Sequence, residues 1–415
     1  MIDRQEVMDF AREFSLAPQV IEKEYVLGWL LAGIAAHPLL AEAWAFKGGT
    51  CLKKCYFETY RFSEDLDFTL SNADHLQEDF LLQTFSEVTT WIRDQAGIDM
   101  PADTFRFEIY NNPRGMLSGQ GRVGYRGPMG RGGDLPRIKL DLTDDEVLVL
   151  EPTLREVNHS YSDRPANGIH VYCYAFEEVF AEKIRALAER ERPRDLYDVI
   201  NLHRHEELRP NRELIFETLE KKCSFKGIPV PTFQQLEDSP FRAELETEWA
   251  NMLAHQLPVL PAFLNFWQEL PAVFDWLQGT TEKIIKPAIP ISTRDAGDID
   301  NSWQPPTMAS AWAEYGTTPL EKIRFAAANH LCIDLDYVDE GGRRSTRIIE
   351  PYALRRTREM KLLLYAVKYE TGEDRSYRVD RIRGAEVTKN TFEPRYLIEL
   401  TPVGPTTVPT AKVNQ

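Results

Sequence analysis

The sequence has no apolar run long enough to cross a bilayer. Its opening residues, MIDRQEVMDFAREF, are charged where a secretory signal would be apolar. Cysteine is scarce. Five residues (Cys51, Cys55, Cys173, Cys223 and Cys332) are scattered over 415 positions. An odd, dispersed set fits buried thiols in a reducing cytoplasm better than a disulfide framework. Cys51 and Cys55 stand at i, i+4, but no second Cys/His pair follows at zinc-site spacing. Positive charge is in deficit, with a formal net charge of −16. That balance excludes nucleic-acid binding over the whole surface and leaves room for local basic patches. The expectation is a soluble cytoplasmic protein.

What is present centres on Phe46 to Leu70, FKGGTCLKKCYFETYRFSEDLDFTL. Trp44, Ala45 and Phe46 form a short apolar run leading into Gly48-Gly49-Thr50. Leu52, Cys55 and Tyr56 follow at helical spacing, and Asp65-Leu66-Asp67-Phe68 alternates as a half-buried strand does. The stretch therefore predicts strand, glycine turn, helix, strand. Glycines let a phosphate approach the backbone, and the N–H groups opening the next helix hold it. Asp65 and Asp67, two apart on a strand, direct both carboxylates to one face, which suits Mg²⁺ brought by a nucleotide.

This arrangement resembles the nucleotidyltransferase superfamily. Lys47-Gly48-Gly49-Thr50 with Arg61-Phe62-Ser63-Glu64-Asp65-Leu66-Asp67 is more closely similar to the AbiEii/MenT toxins of toxin–antitoxin and phage-defence systems. Glu182-Lys183-Ile184-Arg185 and Arg194-Asp195-Leu196-Tyr197-Asp198 resemble that family's later motifs. The resemblance implies that Lys183 contacts the nucleotide triphosphate. It also implies that Asp195 is essential, fixing Lys183 or a substrate group. A cognate antitoxin is a partner expected from the family.

Helices are expected over 1–43 and 76–97, strands over 103–111 and 137–142, and two helices over 174–206. In Arg137 to Leu142, Ile138, Leu140 and Leu142 face the core, while Lys139 and Asp141 share the other face. Asp141 is the candidate third carboxylate, placed to activate an acceptor hydroxyl. Gly119 to Gly124 spells GxGxxG, but Tyr125-Arg126-Gly127-Pro128 follows and cannot open a helix, so a dinucleotide site is rejected. A mobile hairpin is expected instead. There Arg122, Arg126 and Arg131 would meet RNA phosphates and Tyr125 a base, with a solvated loop as the alternative. His203, His205 and Glu206 invite a metal site, yet the two histidines diverge on a helix. Residues 210–278 read as an aromatic-rich helical subdomain.

Pro287, Pro290, Pro305 and Pro306 mark residues 279–308 as an extended linker. Charge changes here too. Of the chain's 49 basic and 65 acidic residues, 17 and 15 lie beyond residue 300, leaving 32 and 50 before it. Closely spaced strands follow, with a Gly341-Gly342 hairpin, and suggest a small curled β-barrel. Glu350-Pro351-Tyr352, Leu364-Tyr365-Ala366 and Arg375 to Ile382 resemble a WYL domain, a Sm/SH3-like barrel serving as a ligand- or nucleic-acid-sensing module. Tyr352, Arg378 and Arg381 are the candidates there for an anionic ligand, since guanidinium forks match phosphate oxygens.

The fold expected is α+β. A nucleotidyltransferase mixed-sheet domain spans 1–205, a helical subdomain 206–278, a linker 279–317 and a WYL-like barrel 318–415. The function expected is Mg²⁺-dependent transfer of NMP from an NTP to RNA, with the tRNA 3′ end as acceptor. The catalytic set is Asp65, Asp67, Asp141, Lys183 and Asp195, and Gly48, Gly49 and Thr50 cradle the nucleotide. The alternative is a non-catalytic RNA- or nucleotide-binding regulator on the same scaffold.

Overall fold

A computed structural model describes the chain except residues 131–132, 206–209, 294, 296, 306–318, 402–413 and 415. Arg131, Glu206, Pro306 and the start of the expected barrel domain at 318 lie outside the described residues. The chain divides into two compact units.

The first unit comprises Met1–Arg190 and Asn211–Pro231, with the C-terminal residues from Val408. Its sheet has seven strands: β1 (Trp44–Lys47), β2 (Asp65–Leu70), β3 (Arg106–Asn111), β4 (Leu117–Gly124), β5 (Arg137–Thr143), β6 (Thr153–Glu156) and β7 (His170–Cys173). Their order is β3-β4-β5-β2-β1-β7-β6. Pairings β2–β5 and β1–β7 are parallel, and the others are antiparallel. This is the mixed α+β sheet expected. Helices α1 (Arg4–Phe14) and α2 (Pro18–Ala36) precede it. The middle of α2 is buried on all sides, because it packs on both β7 and α4 (Glu78–Ala96). The short α3 (Gly48–Cys51) runs into a π-type turn, Leu52–Tyr56. Helices α5 (Phe176–Arg190) and α7 (Arg212–Lys226) pack together.

The glycine-rich stretch begins as regular strand rather than as loop, and it turns back antiparallel from β4 into β5. Gly119 to Gly124 form most of β4, hydrogen-bonded to β3 and β5. A Cβ on Gly121 would meet the Phe107 ring at 2.6 Å, so the glycine makes room for an aromatic side chain of the neighbouring strand.

The second unit comprises Glu191–Pro210 and Thr232–Thr407. It opens with α6 (Pro193–Arg204), whose proline occupies the first turn, where its missing N–H costs no bond. Helices α8 (Phe233–Glu237), α9 (Arg242–Leu253), α10 (Phe263–Trp267) and α11 (Leu270–Leu277) follow. Tyr197 stacks on Phe266 with centroids 5.2 Å apart, anchoring α6 to α10. After α12 (Leu320–Ala328) come β8 (Leu331–Val338), β9 (Arg344–Arg356), β10 (Leu362–Lys368), β11 (Asp374–Arg378) and β12 (Ile382–Thr391). They form an antiparallel sheet ordered β11-β10-β9-β8-β12.

The expected barrel does not close among the described residues, because β11 and β12 remain the two edges of the sheet. The expected linker packs against this sheet instead of standing free. Ile289 and Ile299 join Tyr352, Tyr365 and Phe392 in one apolar core, and Asp295 accepts hydrogen bonds from Tyr365 (2.8 Å) and Ser376 (2.7 Å).

Candidate active site

The apolar side chains of β2 and β5 fix the site. Leu66 and Phe68 point into the core, so Asp65 and Asp67 emerge together on the opposite face. On β5, Ile138, Leu140 and Leu142 are likewise buried, and Lys139 and Asp141 emerge. The parallel register sets Asp67 against Asp141 and Asp65 against Lys139. On its other side, Asp67 faces Lys47 across the antiparallel β1–β2 pair. The glycine turn follows Lys47 directly. Gly48 has φ of +80°, and a Cβ there would stand 2.2 Å from Asp67 Oδ2. Thr50 is buried, and its hydroxyl donates to the Asp65 carbonyl, tying turn to strand. A Cβ on Gly49 would collide with the Arg61 guanidinium at 2.3 Å, so this glycine seats a buried arginine.

The carboxylates repel one another. Burial first, then Asp141 and Asp65, push Asp67 up to about 6, while Lys47 and Lys183 pull the other way. Lys139 donates to Asp141 Oδ2 at 2.6 Å, and Gln120 reaches its other oxygen at 3.4 Å. Burial opposes the charge on Lys139, yet Asp141, with Asp65 and Asp67, raises its pKa. The donor set offered by Asp65 and Asp67 is all oxygen, which suits a hard divalent cation such as Mg²⁺. A cation bound there would relieve the repulsion that raises Asp67, so the residues fit the ion.

Lys183 on α5 is buried beside this cluster, and its neighbour Glu182 lies 3.8 Å from Lys47. Burial works against the charge on Glu182, but Lys47, Lys222, Arg185 and Lys183 together hold it well below the usual carboxylate range. Lys222 on α7 is fully buried, 2.7 Å from Glu178, 3.5 Å from Glu182 and 3.6 Å from Glu146. Asp195 is buried in the first turn of α6, in the second unit.

Other candidates fall elsewhere. Tyr125 is buried and offers no ring face to a base. Arg122 and Arg126 are exposed, the first reaching Gln120 at 2.7 Å and the second pairing with Asp99. Tyr352 is in the core, donating to Glu350 at 3.0 Å. Arg378 forks onto Asp380, and Arg381 lies 3.6 Å from Glu340. His203 and His205 form no metal cluster among the described residues. Cys173 joins Cys51 and Cys55, all three buried with sulfurs within 4.8 Å of one another.

Residues 29–278, more than half of the chain, match the family model described as "Nucleotidyl transferase AbiEii toxin, Type IV TA system". The chain belongs to the AbiEii nucleotidyltransferase toxin family. Residues 319–387 match the WYL domain. Among solved structures, the chain is similar to MenT4, a nucleotidyltransferase toxin from Mycobacterium tuberculosis H37Rv, at 18% identity and a TM-score of 0.46, over 67% of this chain and 90% of that one. It is also similar to JHP933 from Helicobacter pylori, at 18% identity and a TM-score of 0.40, over 64% of this chain and 94% of the other. No curated protein matches.

Within this candidate site of the AbiEii-family chain, three residues carry no readable signal in the sequence. Lys47 and Glu182 stood inside quoted motifs, but only strand register and helix packing turn them toward one another. Lys222 carried no signal, since a lysine on α7 reads as a solvated side chain until α7 is packed on α5.

Proposed function

We propose that the protein transfers a nucleoside monophosphate from an NTP to an RNA hydroxyl, with the tRNA 3′ end as acceptor. The observation that carries this reading is the register pairing of Asp67 with Asp141 beside the Gly48 turn. Three carboxylates and the cations Lys47 and Lys183 converge there, next to a backbone bare of side chains.

Gly48 and Gly49 admit the triphosphate close to the chain. Lys183 contributes a compact positive charge to it. Asp65 and Asp67 would hold Mg²⁺, which when bound would neutralise charge on the phosphates. The acceptor oxygen forms a bond to the α-phosphorus, and the bond from that phosphorus to the bridging oxygen breaks. Pyrophosphate leaves, and the acceptor proton passes to the Asp141 carboxylate, which Lys139 orients. Asp195 is assigned from the family motif as the residue that positions Lys183 or the phosphates. Exposed Arg122 and Arg126 would meet RNA phosphates, and Arg378 and Arg381 an anionic ligand of the WYL sheet. Family membership adds an antitoxin protein as partner and the cytoplasm as the compartment. Among the described residues no helix is long and apolar enough to cross a membrane.

The test incubates the protein with Mg²⁺, each α-labelled NTP in turn and total tRNA, with Asp65→Ala as control. Label on RNA only with the intact aspartate supports the reading and names the nucleotide. Label on protein instead moves the acceptor to a side-chain hydroxyl. Mg²⁺-independent NTP binding without transfer, unchanged in Asp65→Ala, would leave a binding scaffold and end the proposal.

A further inference from the structure

Cys51, Cys55 and Cys173 bring three buried thiols together in the first unit, with sulfurs within 4.8 Å of one another. The nucleotidyl transfer proposed above uses none of them. Cys51 closes α3, the short helix that Gly48 opens. Cys55 lies in the π-type turn that follows. Cys173 ends β7, in register with Phe46 across the parallel β1–β7 pair. The i, i+4 pair offers only two ligands, and the sheet supplies the third from far along the chain. None of the three is in a disulfide.

A buried cation stands beside this cluster. Arg155 on β6 is 5% exposed, and its Nε donates to the Cys55 carbonyl at 2.8 Å. Its guanidinium lies over the Tyr56 ring, 4.3 Å from the centroid. Among the described residues no carboxylate pairs with it. Its charge acts on both Cys55 and Cys173. A buried charge is ordinarily met by an opposite one. Of the acidic groups beside Arg155, the thiols ionise more readily in water than the Tyr56 phenol. The thiolate is also the form of cysteine that binds metal.

We propose that Cys51, Cys55 and Cys173 bind one thiophilic metal ion, Zn²⁺ or Cu⁺, which pins the helix of the glycine turn to β7. Soft sulfur ligands select these ions over Mg²⁺, so the site differs in chemistry from the oxygen set of Asp65 and Asp67. Thiolates at about 2.3 Å from one ion stand roughly 3.8 Å apart, within the span these sulfurs already occupy. The thiol protons pass to solvent as the ion binds. Charge favours Zn²⁺, because three thiolates around it leave one net negative charge, which Arg155 offsets. Coordination number favours Cu⁺, because three sulfurs complete a trigonal site and leave Zn²⁺ one ligand short of four. Both ions rest on the same sulfur chemistry, and metal analysis separates them.

The test purifies the full untagged chain with a reductant present, measures its bound metal, strips it, and titrates it with Zn²⁺ and, without oxygen, with Cu⁺. The expected result is one equivalent of ion, sulfur neighbours in X-ray absorption, and a raised thermal unfolding midpoint. The ion bound more tightly is the one assigned. Cys173→Ala should weaken binding by about tenfold or more. Cys332→Ala, which removes a buried thiol of the second unit, should leave it unchanged. If Cys173→Ala fails to fold, X-ray absorption of the parent chain decides, because it identifies sulfur neighbours directly. No binding, binding through oxygen or nitrogen alone, or binding that survives in Cys173→Ala overturns the proposal and leaves the thiols as core packing. None of these readouts depends on nucleotidyl transfer.

Discussion

Gly48 and Asp67 exclude one another's side-chain growth: a β-carbon on Gly48 would lie 2.2 Å from Asp67 Oδ2. The glycine serves twice, since its φ of +80° is also one that L-residues adopt only under strain. Gly48→Ala would therefore cost about 1–3 kcal/mol for the backbone and displace the carboxylate as well. The expected outcome is loss of label transfer together with a lowered unfolding midpoint. Unchanged transfer would show that the carboxylate position is not critical.

Asp67 also makes stability depend on pH. Its carboxyl is raised from 3.8 to about 6 in the folded chain, by burial first and then by Asp141 and Asp65. The folded state therefore holds this proton more tightly than the unfolded state does. The contribution is full below pH about 4 and is lost as pH rises through about 6. Asp67→Asn cannot ionise, so in the absence of metal it should gain stability over the parent between pH 4 and pH 8. Mg²⁺ should raise the parent's midpoint at pH 8 and leave that of the variant unmoved. Thermal unfolding at the two pH values, with and without Mg²⁺, checks both statements. A gap between the two proteins that does not change with pH would refute them.

The alternation of Asp65-Leu66-Asp67-Phe68 and of Ile138 to Leu142 was readable because a strand's period of two needs no distant information. Which strand neighbours which was not readable. The apposition of Asp67 and Asp141 depends on a parallel pairing across 73 residues of intervening chain. Burial was misjudged where polar and small residues sit in the core. Tyr125, Gly121 and the linker's Ile289 read as loop by composition, yet each packs inside once its neighbours are present. The C-terminal strands were visible from their turns, but closure into a barrel is a matter of edge pairing, which turn spacing does not report.

Substitution at Asp141 tests binding and chemistry separately. Its oxygens are engaged by Lys139 and Gln120, so it is held in place before substrate arrives. In the proposed mechanism Asp141 accepts the acceptor's proton, and Asp141→Asn keeps its shape while removing that capacity. Transfer should slow by about 10²–10⁴-fold with little change in KM for the NTP. Steady-state kinetics with labelled NTP check this. A rise in KM with turnover intact would mean that Asp141 binds substrate instead.

Lys222 is where stability and the site meet. Its ammonium is fully buried and lies within 3.6 Å of Glu146, Glu178 and Glu182. Burial would expel that charge, but the three carboxylates keep its pKa above the ordinary lysine value. Lys222→Met fills similar space and strands three carboxylates with less compensation. Breaking a buried pair from one side costs about 3–5 kcal/mol, and Arg185 and Lys226 still neutralise Glu146, so the lower end is expected. Glu178 already lies above its usual range through burial, despite Lys222 drawing it down. Removing the lysine raises it further, so the penalty should grow from acid to neutral pH as the carboxylate is forced to ionise without its partner. Denaturant unfolding at pH 5 and pH 7.5 measures both the size and the slope. A cost below 1 kcal/mol at both would mean that the network is solvated and that α7 does not brace Glu182 beside Lys47.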